Sequence, residues 1–194
     1  MHYKKRKTSI YIIANIIIAI GIQACDFPQK KDSKKVANMH NNAKFHNINR
    51  EQEAHFLVET SEAMLNQIYL AQLAKKNSIQ AEIQQTGETI EKEYTKSLDT
   101  LKEITTRRII TLPTDISFNN KKVYNKLNEA IAEDFDKAYF KIALKSHESM
   151  IHLSEKSISQ LTDTTVKNWA RNNLELLQKN LNLLTSKQKT LAVN

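Results

Sequence analysis

The residue whose surroundings most clearly specify a reaction is Cys25, the only cysteine among 194 residues. It follows a segment in which residues 4–7 read Lys-Lys-Arg-Lys and residues 10–20 form an apolar run rich in isoleucine. A basic start, a short apolar centre and a small residue before the cleavage point, here Ala24, are typical of a secretory signal peptide. We therefore expect residues 1–24 to be removed, so that Cys25 becomes the first residue of the mature chain.

The string Ile22-Gln23-Ala24-Cys25 resembles the lipobox of bacterial lipoproteins. This resemblance implies transfer of diacylglycerol to the Cys25 thiol, cleavage before Cys25 and acylation of the new amino group, for example with palmitate. The lipid bilayer is then a partner through the acyl chains on Cys25, and the protein is expected in the bacterial cell envelope. The alternative is an uncleaved transmembrane anchor, but residues 10–24 are shorter than the roughly 20 apolar residues that a span needs.

Composition excludes several classes of protein. Loss of the four basic residues in the signal lowers the net charge from +8 to +4, so the main support for nucleic-acid binding disappears. Lipidation of the only cysteine leaves no thiol for a disulfide or a cysteine metal site. With two glycines and two prolines in the whole chain, an all-β fold or a glycine-rich phosphate loop is disfavoured. Long helices remain.

Apolar residues recur every three or four positions over four long stretches, which is typical of amphipathic helices. Residues 25–49 lack this pattern, and we expect a lipidated cysteine followed by a flexible tether whose lysines either contact anionic lipid headgroups or remain solvated. Residues 50–190 are predicted to form an all-α, antiparallel four-helix bundle with a long B–C connection around Pro113. The predicted helices are A (50–76), B (78–107), C (133–160) and D (164–188), with a short helix near 120–132 that either precedes helix C or continues into it.

The predicted helix ends and inner faces depend on individual side chains. Asn49, Ser78 and Asp163 are expected to cap the starts of helices A, B and D, because short polar side chains accept hydrogen bonds from the first free backbone amides. The predicted inner face of helix D consists of Val166, Ala170, Leu174, Leu177, Leu181 and Leu184.

Three local strings stand out: Phe135-Asp136-Lys137-Ala138-Tyr139 followed by Ser146-His147-Glu148, Leu112-Pro113 in the B–C connection, and residues 67–74 on helix A. They are similar to a bacterial family of ferritin-like bundles, domain of unknown function 4142, often labelled "putative outer membrane protein". The similarity extends over about residues 52–185 and implies a ferritin-like four-helix bundle.

The resemblance also implies a set of polar positions in the core. The family has a glutamate on helix A, an Asp-His pair on helix B, and one histidine each on helices C and D. The corresponding residues here are Gln67, Glu93, Tyr94, His147 and Asn180, and only His147 matches the family. Two interpretations stay open: a hydrogen-bonded polar layer in the core, or a residual metal site around His147.

A ferritin-like di-metal centre needs Glu-x-x-His on two helices, and this sequence contains no such spacing. We therefore predict no metal and no cofactor apart from the lipid on Cys25, no catalytic residues and no nucleic-acid partner. The predicted function is a membrane-anchored envelope lipoprotein with a non-catalytic bundle that serves binding or envelope maintenance, with a stress-related role implied by the family. The alternatives are a metal-binding ferritin-like bundle and a surface adhesin or other lipoprotein that binds an envelope protein.

Overall fold

Residues 31–193 are described by a computed structural model, and this part of the chain is entirely helical outside its connections. The all-α prediction is confirmed for these residues. None of the described helices is both long enough and apolar enough to cross a bilayer. The six helices in this part are α1 (Ser33–Lys44), α2 (Ile48–Asn77), α3 (Ala81–Thr106), α4 (Phe118–Asn128), α5 (Ala132–Ile158) and α6 (Thr164–Val193).

The four long helices form a helical bundle in which each packs against two others. Helix α2 packs against α3 and α5, and α6 packs against the same two helices. The short helices α1 and α4 also pack against α2, so α2 is the most enclosed of the described helices. Half of its 30 residues are buried, including Leu57, Met64 and Leu70. An amphipathic stripe underestimates the core of such a helix, because several of its sides meet neighbours.

Two predicted helix starts are wrong, and one is confirmed. Helix α2 begins at Ile48 because Asn47, and not Asn49, accepts hydrogen bonds from the amides of the first turn. Ser78 ends α2 instead of capping the next helix, since its backbone N–H donates to the Ala74 carbonyl oxygen. Asp163 caps α6 as predicted, accepting from the Val166 amide at 3.0 Å.

The region around residues 120–160 forms two helices. Helix α4 ends at Asn128 and α5 begins at Ala132, whose φ of 50° lies in the left-handed region. A non-glycine residue with this backbone angle interrupts right-handed helical geometry. The apolar pattern continues through the break, which explains why the pattern alone leaves one or two helices open.

The prediction of a flexible tether up to residue 49 is wrong for residues 33–44, which form α1. This helix packs on α2 and buries Ala37 and Asn41. Its attachment is largely polar: the Asn41 amide donates to the Thr111 carbonyl oxygen at 2.9 Å and accepts from the Thr111 N–H at 2.8 Å. Residues 1–30, which include the predicted signal peptide and Cys25, lie outside the described residues.

A single carboxylate, that of Asp32, joins the starts of α1 and α4. One oxygen accepts from the Lys35 amide at 3.1 Å and caps α1. The other accepts from the Phe118 amide at 2.7 Å, at the first residue of α4. Partial burial raises the pKa of Asp32, but these amide hydrogen bonds outweigh it and hold the pKa below its usual value. The two helices then run along α2 in opposite directions: Lys34 of α1 pairs with Glu59, while Tyr124 of α4 packs on Tyr69.

Candidate functional site

The central feature of the core is a layer of polar side chains, one from each long helix. Gln67 lies on α2, Tyr94 on α3, His147 on α5 and Asn180 on α6. Their exposed fractions are 1% for Gln67 and 0% for the other three. We call these four residues the polar layer. All four were predicted from the sequence as polar core positions.

The close packing of α2 on α3 determines how high Gln67 and Tyr94 lie along the bundle axis relative to each other. At Gly87 of α3, a Cβ atom would lie only 2.7 Å from the Ala71 carbonyl oxygen of α2, so only glycine fits. In an antiparallel pair, residues after Gly87 lie opposite residues before Ala71. Tyr94, two turns beyond Gly87, therefore reaches a level within one turn of Gln67.

The imidazole of His147 is held by its own helix. Its Nδ1 lies 2.8 Å from the Ala143 carbonyl oxygen, so Nδ1 carries the proton and donates it. The other nitrogen, Nε2, is buried without a partner among the described residues. Burial lowers the pKa of His147 to about 4 against the opposing effect of the Ala143 carbonyl, so the ring is neutral at physiological pH.

Tyr94 and Asn180 lie next to His147 in the layer. The Tyr94 ring is tilted 56° to the imidazole, with 5.7 Å between the ring centroids. Burial raises the pKa of Tyr94 far above its usual value, while the nearby Asn180 amide acts in the opposite direction. No hydrogen bond of ordinary geometry joins the two, and within the described part both polar atoms of Asn180 and the Tyr94 hydroxyl lack partners.

The donor set of the polar layer does not fit a di-metal centre of the ferritin-like kind. A phenol must lose its proton to bind a metal, and burial of Tyr94 opposes this by raising its pKa. The unpartnered atom of Gln67 is the amide nitrogen Nε2, which is not a metal ligand. The layer contains no carboxylate, and the described residues contain no group of three or more His, Cys, Asp or Glu side chains suited to a metal ion. His147 Nε2 and Asn180 Oδ1 are the potential ligand atoms of the layer that are buried without partners among the described residues.

Glu93 was predicted as a fifth polar core position, but its side chain reaches the bundle surface. Its carboxylate forms an ion pair with Lys179 of α6, and 23% of the side chain is exposed. A helix turns by about 100° per residue, so Glu93 and Tyr94 face different directions. Glu93 thus links α3 to α6 outside the polar layer.

Sequence reasoning also missed other buried polar residues, among them Asn173 on α6 and Ser154 on α5. Asn173 accepts a hydrogen bond from the Ser97 hydroxyl at 3.1 Å. A signal was present, since Asn173 precedes Asn180 by seven residues and Ser154 follows His147 by seven. Seven residues are two helical turns and keep the same face.

At two positions on α6, the residue that faces the core precedes the predicted one by one residue. Leu174 and Leu181 were assigned to the core, but they are only partly buried, whereas Asn173 and Asn180 point inward. Val166, Ala170, Leu177 and Leu184 are buried as predicted. The pattern favoured leucine over asparagine because apolarity was its only criterion.

A second polar cluster, the helix-end network, lies where α2 begins, α3 ends and α6 begins. The Arg108 guanidinium binds both carboxylate oxygens of Asp163, at 2.7 Å for Oδ1 and 2.7–3.0 Å for Oδ2. Arg108 thereby lowers the pKa of Asp163. The neighbouring Glu53 is nearly fully buried, and burial, together with the charge of Asp163, raises its pKa. Arg50 approaches Glu53 at 3.7 Å.

Comparison with known proteins identifies the family of this chain. The family described as "Domain of unknown function (DUF4142)" matches residues 36–186. The chain belongs to this family. The match begins within α1 and ends within α6, so α1 is part of the family domain. No curated protein and no solved structure matches the chain.

Proposed function

We propose that the protein is a bacterial cell-envelope lipoprotein, anchored through lipid on Cys25, whose helical domain is a non-catalytic module for binding or envelope maintenance. The anchor is inferred from the sequence of residues 1–25. The domain is proposed to be a ferritin-like, antiparallel four-helix bundle of α2, α3, α5 and α6, supported by the packing of each long helix against two others.

The observation that carries the non-catalytic role is the complete burial of the polar layer. Tyr94, His147 and Asn180 have no exposed area, so a substrate has no route to their polar atoms. His147 is neutral at physiological pH and Tyr94 is protonated, so neither ring places a charge in the core. These groups are suited to holding the bundle in one arrangement.

The distribution of exposed apolar side chains bears on the adhesin alternative. A contiguous apolar patch on one face would favour a protein partner. Among the described residues, the large exposed apolar side chains are spread over α1, α2, α4 and the connections, with Phe118 and Val123 together on α4. They do not favour an apolar adhesive surface.

The anchor is tested by expressing the full chain in a bacterial host supplied with radiolabelled palmitate. We expect label on the protein and recovery in the membrane fraction, because the acylated thiol of Cys25 carries long hydrocarbon chains. Cys25→Ser should abolish the label. Gln23→Ala, which changes the lipobox without removing the thiol, should be labelled like the wild type. An unlabelled wild-type protein in the aqueous fraction would refute the lipoprotein assignment.

A metal-binding bundle is the second candidate, because two potential ligands, His147 Nε2 and Asn180 Oδ1, are buried without partners among the described residues. Elemental analysis of the purified protein after exposure to iron, zinc and manganese distinguishes the two. We expect no stoichiometric metal. Metal that is retained by the wild type and by His152→Gln, an exposed histidine on the same helix, but lost in His147→Gln would favour the metal-binding function.

A further inference from the structure

The two short helices carry an unusual distribution of charge. Helices α1 and α4 together contain six lysines and no acidic residue. Helix α3, which is about as long as α1 and α4 together, contains three lysines and six acidic residues. On α6, the lysines Lys179 and Lys187 pair with acidic side chains of α3. Two lysines of α1 and α4 are also paired, Lys34 with Glu59 and Lys121 with Asp115, whereas Lys35, Lys122 and Lys126 are exposed.

The exposed side chains of α1 and α4 are arranged in stripes. On α1, Lys35 and Met39 are four residues apart and lie opposite the buried Ala37. On α4, Phe118, Lys122 and Lys126 follow one another at intervals of four. Residues four apart share a helix face. We call these five exposed residues the α1–α4 face.

The two stripes begin at the same place. Asp32 binds the first amide of α4 at 2.7 Å while it caps α1. The Ser33 hydroxyl accepts from the Thr114 amide at 2.8 Å and reinforces this junction. Both helices pack with their inner sides on α2. Their outer stripes therefore extend in opposite directions from one point.

Few residues separate this point from the proposed anchor in the sequence. Asp32 follows Cys25 by seven residues, and a chain of that length spans at most about 25 Å, whatever its conformation. The length of this segment thus sets an upper limit on the distance between the acylated cysteine and the start of α1. Lysines combined with exposed apolar side chains such as Phe118 and Met39 are the composition of surfaces that lie on anionic membranes.

We propose that the α1–α4 face docks on the anionic lipid headgroups of the membrane in which Cys25 is anchored. The inference rests on the proposed lipid anchor. Lys35, Lys122 and Lys126 contact the headgroups, and Phe118 and Met39 insert at their level. The acidic helix α3 stays away from the surface, so the domain has one orientation on the membrane.

The test is lysine acetylation of the processed lipoprotein in nanodiscs, read by mass spectrometry. The discs contain phosphatidylcholine alone or phosphatidylcholine mixed with phosphatidylglycerol. In the anionic discs we expect acetylation of Lys35, Lys122 and Lys126 to slow by about fivefold, the effect of holding one ammonium group at an anionic surface. Lys92 and Lys96, exposed on α3, should react equally in both discs.

A pair of matched variants tests the charge directly. Lys122→Glu combined with Lys126→Glu should remove the protection of Lys35, which is itself unchanged. Lys92→Glu combined with Lys96→Glu should leave that protection intact. Both pairs are exposed, so circular dichroism should be unaltered.

The outcomes separate the docking face from the anchor. Co-elution with the discs but uniform acetylation would overturn docking and keep the anchor. Failure to co-elute would overturn the anchor and the docking that depends on it. Equal protection in both kinds of disc would overturn the role of charge. Protection by polyglutamate but not by anionic discs would assign the face to an acidic protein and overturn membrane docking.

Discussion

The polar layer and the helix-end network both contain several polar side chains, but only the network pairs groups of opposite charge. In the network, Arg108 binds Asp163 with both partners charged, and Asp163 also caps α6. In the layer, His147, Tyr94 and Asn180 are uncharged, and each has polar atoms without partners among the described residues. The network is partly open to solvent, whereas the layer is sealed.

The contrast teaches which polar groups stabilise this fold. A half-buried charge stabilises when a partner is held in a bidentate geometry, because its desolvation is only partial. A sealed polar atom without a hydrogen bond costs free energy. We therefore expect removal of network residues to destabilise the protein, and removal of layer residues to have little effect or the opposite effect.

The largest effect is expected at Arg108. Arg108→Ala leaves Glu53 and Asp163 close together without the bidentate cation, and should lower the free energy of unfolding by about 3 kcal/mol. Lys102→Ala, which removes an exposed ion pair with Asp99 near the same end of α3, should cost less than about 1 kcal/mol. Urea unfolding measures both, and equal losses would contradict the special role of the network.

Lowering the pH should lower the free energy of unfolding because His147 is harder to protonate in the folded protein than in the unfolded chain. Its folded pKa, about 4, lies below the unfolded value near 6.5, so the unfolded chain binds a proton first as the pH falls. The free energy of unfolding should drop between pH 6.5 and pH 4, by up to about 3 kcal/mol.

Thermal unfolding as a function of pH checks this prediction. His147→Leu should remove that part of the dependence, whereas His152→Leu, at an exposed position on the same helix, should retain it. Glu53 contributes in the opposite direction, because its raised pKa makes the protein less stable as the pH rises through it. An unchanged pH profile in His147→Leu would show that this imidazole is not shielded from protonation.

Two asparagines allow a direct comparison between a buried amide that has hydrogen-bond partners and one that has none among the described residues. Asn41→Leu removes both hydrogen bonds to Thr111 and should cost about 2 kcal/mol. Asn180→Leu replaces an amide that has no hydrogen bond of ordinary geometry among the described residues, and should be neutral or stabilising by about 1 kcal/mol. Chemical denaturation of the two variants should give shifts of opposite sign or clearly unequal size. A larger loss for Asn180→Leu would reverse the comparison.

A smaller effect than at Arg108 or Asn41 is expected at Asp32. Asp32→Ala removes the side-chain caps of α1 and of the first amide of α4, and should cost about 1 kcal/mol. Its lowered pKa means that the same contribution is lost in the wild type when the pH falls through the folded pKa, below 3.8. Hydrogen exchange at the Lys35 and Phe118 amides should accelerate in the variant, and unchanged exchange would show that this carboxylate does not secure the junction.

Periodicity was sufficient to predict the four long helices, because each has an apolar stripe that must be buried. It missed α1, which has few apolar residues and is attached through Asn41 and Asp32 to residues 70 and 86 positions away. The break before Ala132 depends on one backbone angle that leaves no trace in the apolar pattern.

The polar layer was found through family resemblance, since residues such as Gln67 and Asn180 fall outside an apolar stripe. Its internal geometry was not predictable. Whether His147 meets its own helix or a neighbour depends on the rotation of α5, which is set by packing across the whole core. The ion pair between Glu93 and Lys179 shows the same limit, because neither residue reveals its partner 86 positions away.

The double attachment of Asp32 has a mechanical consequence. A force applied to the chain from the Cys25 side acts on the described domain at Asp32. The carboxylate of this residue is hydrogen-bonded to the first turns of both α1 and α4. Both helices start near the middle of α2, beside Glu59 and Glu62. The load therefore reaches the bundle at mid-length and is shared by two helices, so neither is peeled away singly from a free end.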